Sequence, residues 1–491
     1  MNRHALLVLA ALMLTGCRAH PVPLADPPEV RAQQGVAELT LTAASDARGR
    51  DTWLFDGQPV QPAIRLTPGD VLKIHYVNAL PPTPREPCDA GPCMNMTNLH
   101  FHGLTVSPKR PQDDVLDLMA MPGESIDYTL EIPRDHPPGL NWYHTHPHGE
   151  SHRQVLDGLS GALVIEGIER YAPQVRDLRE RVLVIRGVDV EHDRGRSALM
   201  SRVDAQGASC STNHEPAERV FSVNGAVRPE IPLAPGEQQF WRIVNASADA
   251  YVDLELRGGT LEHRSFEIVA LDGMPLALHN PGQPTRRADH VLVPPAGRLE
   301  AIVKGPADGS PSVLRTRCVD TGPDGDPSSA MVLADVVPRP FAPSPGKIPV
   351  VDPRPPAYRV VDLEKVKTAD PNFVMTFSED KNGFYINGQK YTPNAEPMVR
   401  ATVGEYQHWR VINVTREVHP MHIHQVHFLA YLENGRPLPN PEWLDTVNVP
   451  VGGSVDVITD FTDPVIRGMS VFHCHLLNHE DKGMMAKILF Q

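Results

Sequence analysis

Val471-Phe472-His473-Cys474-His475-Leu476-Leu477-Asn478-His479-Glu480-Asp481-Lys482-Gly483-Met484 lies just before the end of the chain, and its donor atoms govern how the rest is read. A β-strand alternates its side chains, so His473 and His475 share one face while Cys474 points to the other. One short peptide can therefore serve two metal sites placed back to back and joined through the cysteine. Two histidines, one thiolate and a distant thioether are the donors of a blue-copper site. Cys474, His479 and Met484 supply three of them. The fourth should come from another strand. His419 in His419-Pro420-Met421-His422-Ile423-His424 is the candidate, because His422 and His424 share a face and His419 lies an odd number of residues away.

Two further pairs lie far upstream, in Asn98-Leu99-His100-Phe101-His102-Gly103 and Trp142-Tyr143-His144-Thr145-His146. With His422, His424, His473 and His475 they make eight imidazoles, enough for three coppers with positions left open for oxygen. A single H-x-H is more often a packing or surface pair, and a lone thiol near a histidine is more often inert. Four such motifs, the last carrying Cys, His and Met at copper spacing, leave that reading little room.

An internal repeat sets the domain count. Pro68-Gly69-Asp70 runs on to Val77-Asn78, Pro235-Gly236-Glu237 to Val244-Asn245, and Val403-Gly404-Glu405 to Ile412-Asn413. The glycine precedes the asparagine by nine residues each time, and the glycines are 167 and 168 residues apart. Phe221-Ser222-Val223-Asn224-Gly225 and Phe384-Tyr385-Ile386-Asn387-Gly388 add a matching turn, with Phe55-Asp56-Gly57 a weaker third copy. A period this long means three related domains rather than a solenoid. Alternating runs such as Ser125–Ile132, Leu299–Val303 and Ser454–Ile458, with 50 prolines and 36 glycines, suit turn-rich β-sandwiches in an all-β chain. The expected layout is a signal segment 1–17, a Pro-rich tether 18–35, domains 36–170, 171–340 and 357–491, and a linker 341–356. Gly139 precedes His144 as Gly468 precedes His473, so the first and third domains donate equivalent pairs. The trinuclear site is expected in their interface. The second domain has Arg315-Thr316-Arg317 in roughly the equivalent place, and His192, His263 and His290 follow no ligand spacing. It should bind no copper.

With these motifs the chain resembles the three-domain bacterial multicopper oxidases of the laccase and cuprous-oxidase group. The resemblance covers essentially all of the mature protein, and it implies three consecutive cupredoxin-like Greek-key β-sandwich domains holding four copper ions. It assigns His100 and His422 to a type 2 copper, and His102, His144 and His475 to one type 3 copper. His146, His424 and His473 would hold the other, and His419, Cys474, His479 and Met484 the type 1 copper. It also points to Glu480 as a proton relay. An acid is expected near the type 2 copper about where Asp113 stands, eleven residues after His102, although Asp114 beside it leaves that assignment open by one residue.

The net charge of −14 argues against a nucleic-acid partner. The apolar run Ala5–Met13 after Arg3 is too short to span a membrane and reads as an export signal. Leu14-Thr15-Gly16-Cys17 resembles a bacterial lipobox, which implies a periplasmic protein anchored to the outer membrane through acylated Cys17; an ordinary cleaved signal is the competing reading. In an oxidising compartment the remaining cysteines are expected to pair as Cys88–Cys93 and Cys210–Cys318.

The expected partners are dioxygen and a small-molecule or metal-ion reductant, with the chain a monomer. Laccase-like oxidation of phenols or aromatic amines leads. Oxidation of Cu(I) in copper tolerance is the alternative, and the 15 methionines are scattered rather than gathered in a metal-binding segment. A copper store or cell-division scaffold fits poorly, because no ligand is missing. Pro437 to Trp443 and Asp445 are expected to border the substrate face, and the exposed edge of His479 to receive the electron.

Overall fold

The computed structural model describes residues 22–47, 49–83, 94–189, 219–258, 263–280, 282–326, 328–340, 363–368 and 370–491. Their strands form six sheets, two within each third of the chain. In the first third, Val36–Ser45, Val71–Asn78 and Ser125–Glu131 are neighbours in one sheet, and Ser160–Ile165, Gly139–His144 and His100–His102 in the other. The last third repeats this arrangement. Phe373–Asp380, Tyr406–Asn413 and Ser454–Asp460 form one sheet with further strands, and Met485–Phe490, Gly468–Cys474 and His419–Ile423 the other. The middle third places Arg179–Asp189, Gln238–Asn245 and Arg298–Lys304 opposite Met331–Val337, Ser312–Arg317 and Val252–Gly258. Alternation explains the packing: in Val71–Asn78 the inward Leu72, Ile74 and Tyr76 are buried while Lys73 and His75 are exposed.

The repeated Gly and Asn each have a mechanical role. Gly69, Gly236 and Gly404 turn the chain into the equivalent strand with φ of 97°, 72° and 112°, where a Cβ would be strained. The asparagine at the far end of that strand is buried and ties a loop. Asn78 donates to the carbonyls of Asn95 and Ala120, Asn245 to Ala250 and Val293, and Asn413 to Glu417 and Val449. In each case its Oδ1 accepts the N–H two residues on. In the first and third domains these loops carry site residues, so the sequence repeat is a loop-anchoring device.

The stretch expected to be a tether is packed from Val22 onward. Leu24 is buried in the middle domain's core and pairs with Glu230, and Arg181 pairs with Asp26 at 3.3 Å. Glu29–Arg31 then joins Ala63–Leu66 as a parallel strand. Prolines keep this segment extended, and an extended chain beside an open sheet edge gains backbone hydrogen bonds. The signal segment, Cys17, Cys88, Cys93, Cys210 and the linker 341–356 lie outside the described residues. Cys318 is disulfide-bonded.

Candidate metal centre

Strand register brings the histidine pairs together. His100–His102 runs antiparallel to Gly139–His144 with His100 opposite His144, and His419–Ile423 runs antiparallel to Gly468–Cys474 with His422 opposite His473. Directly opposed residues on one face have adjacent Cβ atoms. Each domain thus presents a patch of imidazoles, and the two patches meet face to face. His100 stacks on His424 with centroids 3.7 Å apart, and His102 on His422 at 3.9 Å. Cross-domain hydrogen bonds hold the joint: the Asp481 carboxylate accepts the N–H groups of Gly149, Ser151 and His152, and Gln425 donates to Asp113 at 2.7 Å.

The hydrogen bonds leave donors pointing inward. His100 uses Nδ1 on Asp113, His422 uses Nδ1 on the Asp445 carbonyl, His144 uses Nδ1 on the Thr145 carbonyl, and His473 uses Nδ1 on the Cys474 carbonyl. His102 is reversed, with Nε2 3.1 Å from Asp445. The opposite nitrogens of His100, His102, His144 and His422 are buried without a hydrogen-bond partner, as are both of His475. A buried unpaired donor or acceptor costs about 1–3 kcal/mol, so such a concentration points to a ligand. Groupings whose donor atoms lie within 4.8 Å of one another include His100 and His102 with His422; His102, His144 and His475; and His146, His424 and His473. His473 Nε2 lies 3.3 Å from His146 Nε2 and 3.1 Å from His424 Nε2. Nitrogens held at roughly 2.0 Å from one tetrahedral metal would be about 3.3 Å apart. Burial lowers the pKa values of His144 and His422 to about 3 and of His473 to about 4, so these imidazoles are neutral and able to bind a metal. The residues fit copper.

Cys474 faces the other way, into the third domain's core. Its Sγ lies 3.4 Å from His419 Nδ1 and 3.9 Å from His479 Nδ1, and those two nitrogens are 3.3 Å apart. A trigonal His2Cys set is the blue-copper geometry. Met484 is buried beside it, its carbonyl accepting the Cys474 N–H and its N–H donating to the His479 carbonyl.

The surroundings of this site differ from expectation. His479 is only 5% exposed: Phe384 stacks on it at 3.9 Å, and Glu417 Oε1 lies 3.4 Å from its Nε2. Burial, together with a hydrogen bond to Glu379, raises Glu417 to about 9. The edge of His479, expected to receive the electron, is therefore capped by a carboxyl and a ring. The sequence reading missed both residues, although Phe384 lies in a repeated turn and Glu417 two residues before ligand-candidate His419. Asp445 does not border a substrate face. It is fully buried behind the eight-histidine site, because the strand that follows turns its carboxylate toward His102 and Arg298. Trp443 stacks on His279 rather than reaching His479.

Of the two aspartates left open, Asp113 touches His100 at 3.0 Å and is raised to about 7 by burial. Asp114 instead accepts the N–H groups of Leu116 and Asp117 and pairs with Arg110. Glu480 is buried with no hydrogen bond to either oxygen, and Oε1 lies 3.8 Å from His146 Nδ1. Burial, then Asp481, raises it well above the usual carboxylate range.

Paired β-sandwiches with a His2Cys site bonded through one cysteine to an eight-histidine site define a copper oxidase. Two family models, both described as multicopper oxidase, match residues 38–170 and 359–491, together more than half of the chain. The chain belongs to the multicopper oxidase family. It is 24% identical over 467 residues to a multicopper oxidase of Staphylococcus aureus, covering 94% of this chain and 87% of that one. It is also 24% identical to a laccase of Bacillus stratosphericus, covering 95% of this chain and 97% of that one. Among solved structures, a multicopper oxidase from Campylobacter jejuni described as a metallo-oxidase superposes with a TM-score of 0.69. That match has 22% identity and covers 96% of this chain and 95% of that one.

Proposed function

We propose that the protein couples one-electron oxidation of phenols or aromatic amines, in the manner of a laccase, to four-electron reduction of dioxygen to water. Four bound coppers would supply the redox chemistry: one at His419, Cys474, His479 and Met484, and three at the eight histidines. The observation that carries the reading is the placement of Cys474 in one donor set, with its covalent neighbours His473 and His475 in the other. The chain's own contribution is positional. Phe384 and Glu417 cover the His479 edge, so a reductant docks against them and needs only to come close. Asp113 orients His100. Glu480, buried and with its pKa raised by that burial, stands beside His146 as a proton source. Oxygen uptake by the copper-loaded protein with a panel of reductants tests this, since a copper store or scaffold would consume none.

A metal-ion reductant such as Cu(I) is the second reading, favoured by the carboxyl groups of the cap: Glu417, raised to about 9 by burial, would give up its proton to an arriving cation and hold it as a carboxylate. Glu417 and Glu379 sit at the electron-receiving edge, with the charges of Asp324 and Asp326 near enough to act on Glu417. Side-by-side steady-state rates with a phenol and with Cu(I) separate the two, and Glu417→Gln should slow only the cationic reductant. Export belongs to the same proposal. The Cys318 disulfide suits an oxidising compartment, and among the described residues no helix is long and apolar enough to cross a membrane. Cys17 would then be the lipid anchor, and Cys17→Ser should release the protein from washed membranes.

A further inference from the structure

Arg298 is 1% exposed and opens the strand Arg298–Lys304 of the middle domain, which supplies none of the copper donors. In the internal repeat it stands where Ser125 and Ser454 open the equivalent strands. All five of its N–H groups are used. Nε donates to the Leu140 carbonyl of the first domain at 3.1 Å. Nη1 donates to the Ala296 carbonyl and to Asp445 Oδ1, at 3.1 and 2.8 Å. Nη2 donates to the Asp272 carbonyl at 2.8 Å and to Asp445 Oδ2 at 2.5 Å. The guanidinium thus grips the third domain's Asp445 with a two-point fork, a geometry lysine cannot reproduce.

Asp445 in turn sets two imidazoles. Its Oδ1 accepts from His102 Nε2, which leaves Nδ1 facing inward, and its backbone carbonyl accepts from His422 Nδ1 at 2.7 Å, which leaves Nε2 facing inward. Hydrogen-bond partners of this kind fix ligand tautomer and orientation. Asp272 of the middle domain secures the same peptide, accepting the N–H groups of Asp445 and Thr446.

Gly103 shows that the approach is built in. It follows His102 directly with φ of 90°, and a Cβ there would lie 2.4 Å from Arg298 Nη2 and 3.1 Å from Asp445 Oδ2. The glycine that ends the His100-Phe101-His102-Gly103 run therefore makes room for the clasp.

We propose that Arg298 is a positioning residue for the trinuclear copper site, through which the copper-free middle domain holds Asp445, and hence His102 and His422, in their metal-binding orientations. This rests on the copper reading above and goes beyond it by assigning the middle domain a direct part in the site.

The test loads wild type, Arg298→Gln, Arg298→Lys, Asp445→Asn and Gly103→Ala with copper. It measures the copper bound per chain, the blue band of the Cys474 site and the paramagnetic signal of the histidine site. Arg298→Gln should weaken copper binding at the histidine site by about tenfold to a hundredfold and alter its paramagnetic signal. The blue band should remain, and an electron donor should still bleach it without oxygen. Arg298→Lys should fall between wild type and Arg298→Gln, and Gly103→Ala should shift the signal in the same direction. Should Arg298→Gln fail to fold, Asp445→Asn, nearly isosteric, carries the same expectation. Arg286→Gln breaks a different pair between the same two domains, with Glu442, and should change neither signal.

Unchanged copper affinity and signal in Arg298→Gln or Asp445→Asn would overturn the proposal. So would equal loss of the blue band and the histidine-site signal, or an equal effect of Arg286→Gln. A wild-type protein that binds no copper would sink the oxidase reading itself; one that loads normally while Arg298→Gln is indistinguishable sinks only the clasp.

Discussion

The middle domain and its two neighbours use the same pair of strands for opposite ends. In the first domain His100 faces His144, and in the third His422 faces His473. At the corresponding place in the middle domain Asp253 faces Arg317 and Glu255 faces Arg315, and these pairs form ion bridges at 3.3 and 3.4 Å. Opposed charges satisfy each other within one sheet. Opposed neutral imidazoles keep a nitrogen apiece, and two such surplus faces pressed together make a site. A metal centre arises here from what the local strand pair leaves unpaired.

The largest effect should follow from cutting the link between the two donor sets. Cys474→Ser is expected to abolish the blue colour and substrate oxidation, read by visible absorption and oxygen uptake. Next, Glu480→Gln keeps the colour but removes the buried acid beside His146. Oxygen turnover should fall by about a hundredfold or more, and an unchanged rate would remove the relay role. Asp113→Asn weakens the grip on His100 and should cost about tenfold to a hundredfold in copper affinity or turnover. The middle domain supplies the contrast. Arg317→Ala should cost about 0–1 kcal/mol, since that pair is partly solvated, and leave both copper signals intact.

Acid sharpens the same contrast in copper-free protein. The histidines of the cluster are buried neutral, with His144 and His422 lowered to about 3 and His473 to about 4 by burial. Once unfolded they would titrate near 6.5. The unfolded chain therefore binds more protons below that pH, and stability is full above about 6.5 and falls as pH drops toward 4. Denaturant midpoints at pH 7.5, 6 and 5 should decline in that order. His144→Phe should flatten the decline, and Arg317→Ala should not.

Much of this was legible beforehand because it is periodic. Strand alternation divides His473 and His475 from Cys474, and the 167- and 168-residue spacing of the glycines marks the repeat. The illegible parts are those that depend on which surfaces meet. Asp445 looked like a surface acid because its partners, His102 and Arg298, lie 343 and 147 residues away in sequence. The choice between Asp113 and Asp114 turned on which carboxylate a tight turn consumes. Glu417 and Phe384 cap His479 from separate elements, which no local pattern brings together. Val22 to Pro28 read as a tether because the sheet edge that receives it is invisible in its own composition.

Metal analysis of fully loaded wild type beside Cys474→Ser probes the division of donors at its root. One copper bound with the thiolate and three among the imidazoles should be found in the wild type, and the serine variant should be colourless and lack one equivalent. Far fewer bound ions in the wild type, or a serine variant that stays blue, would contradict the account.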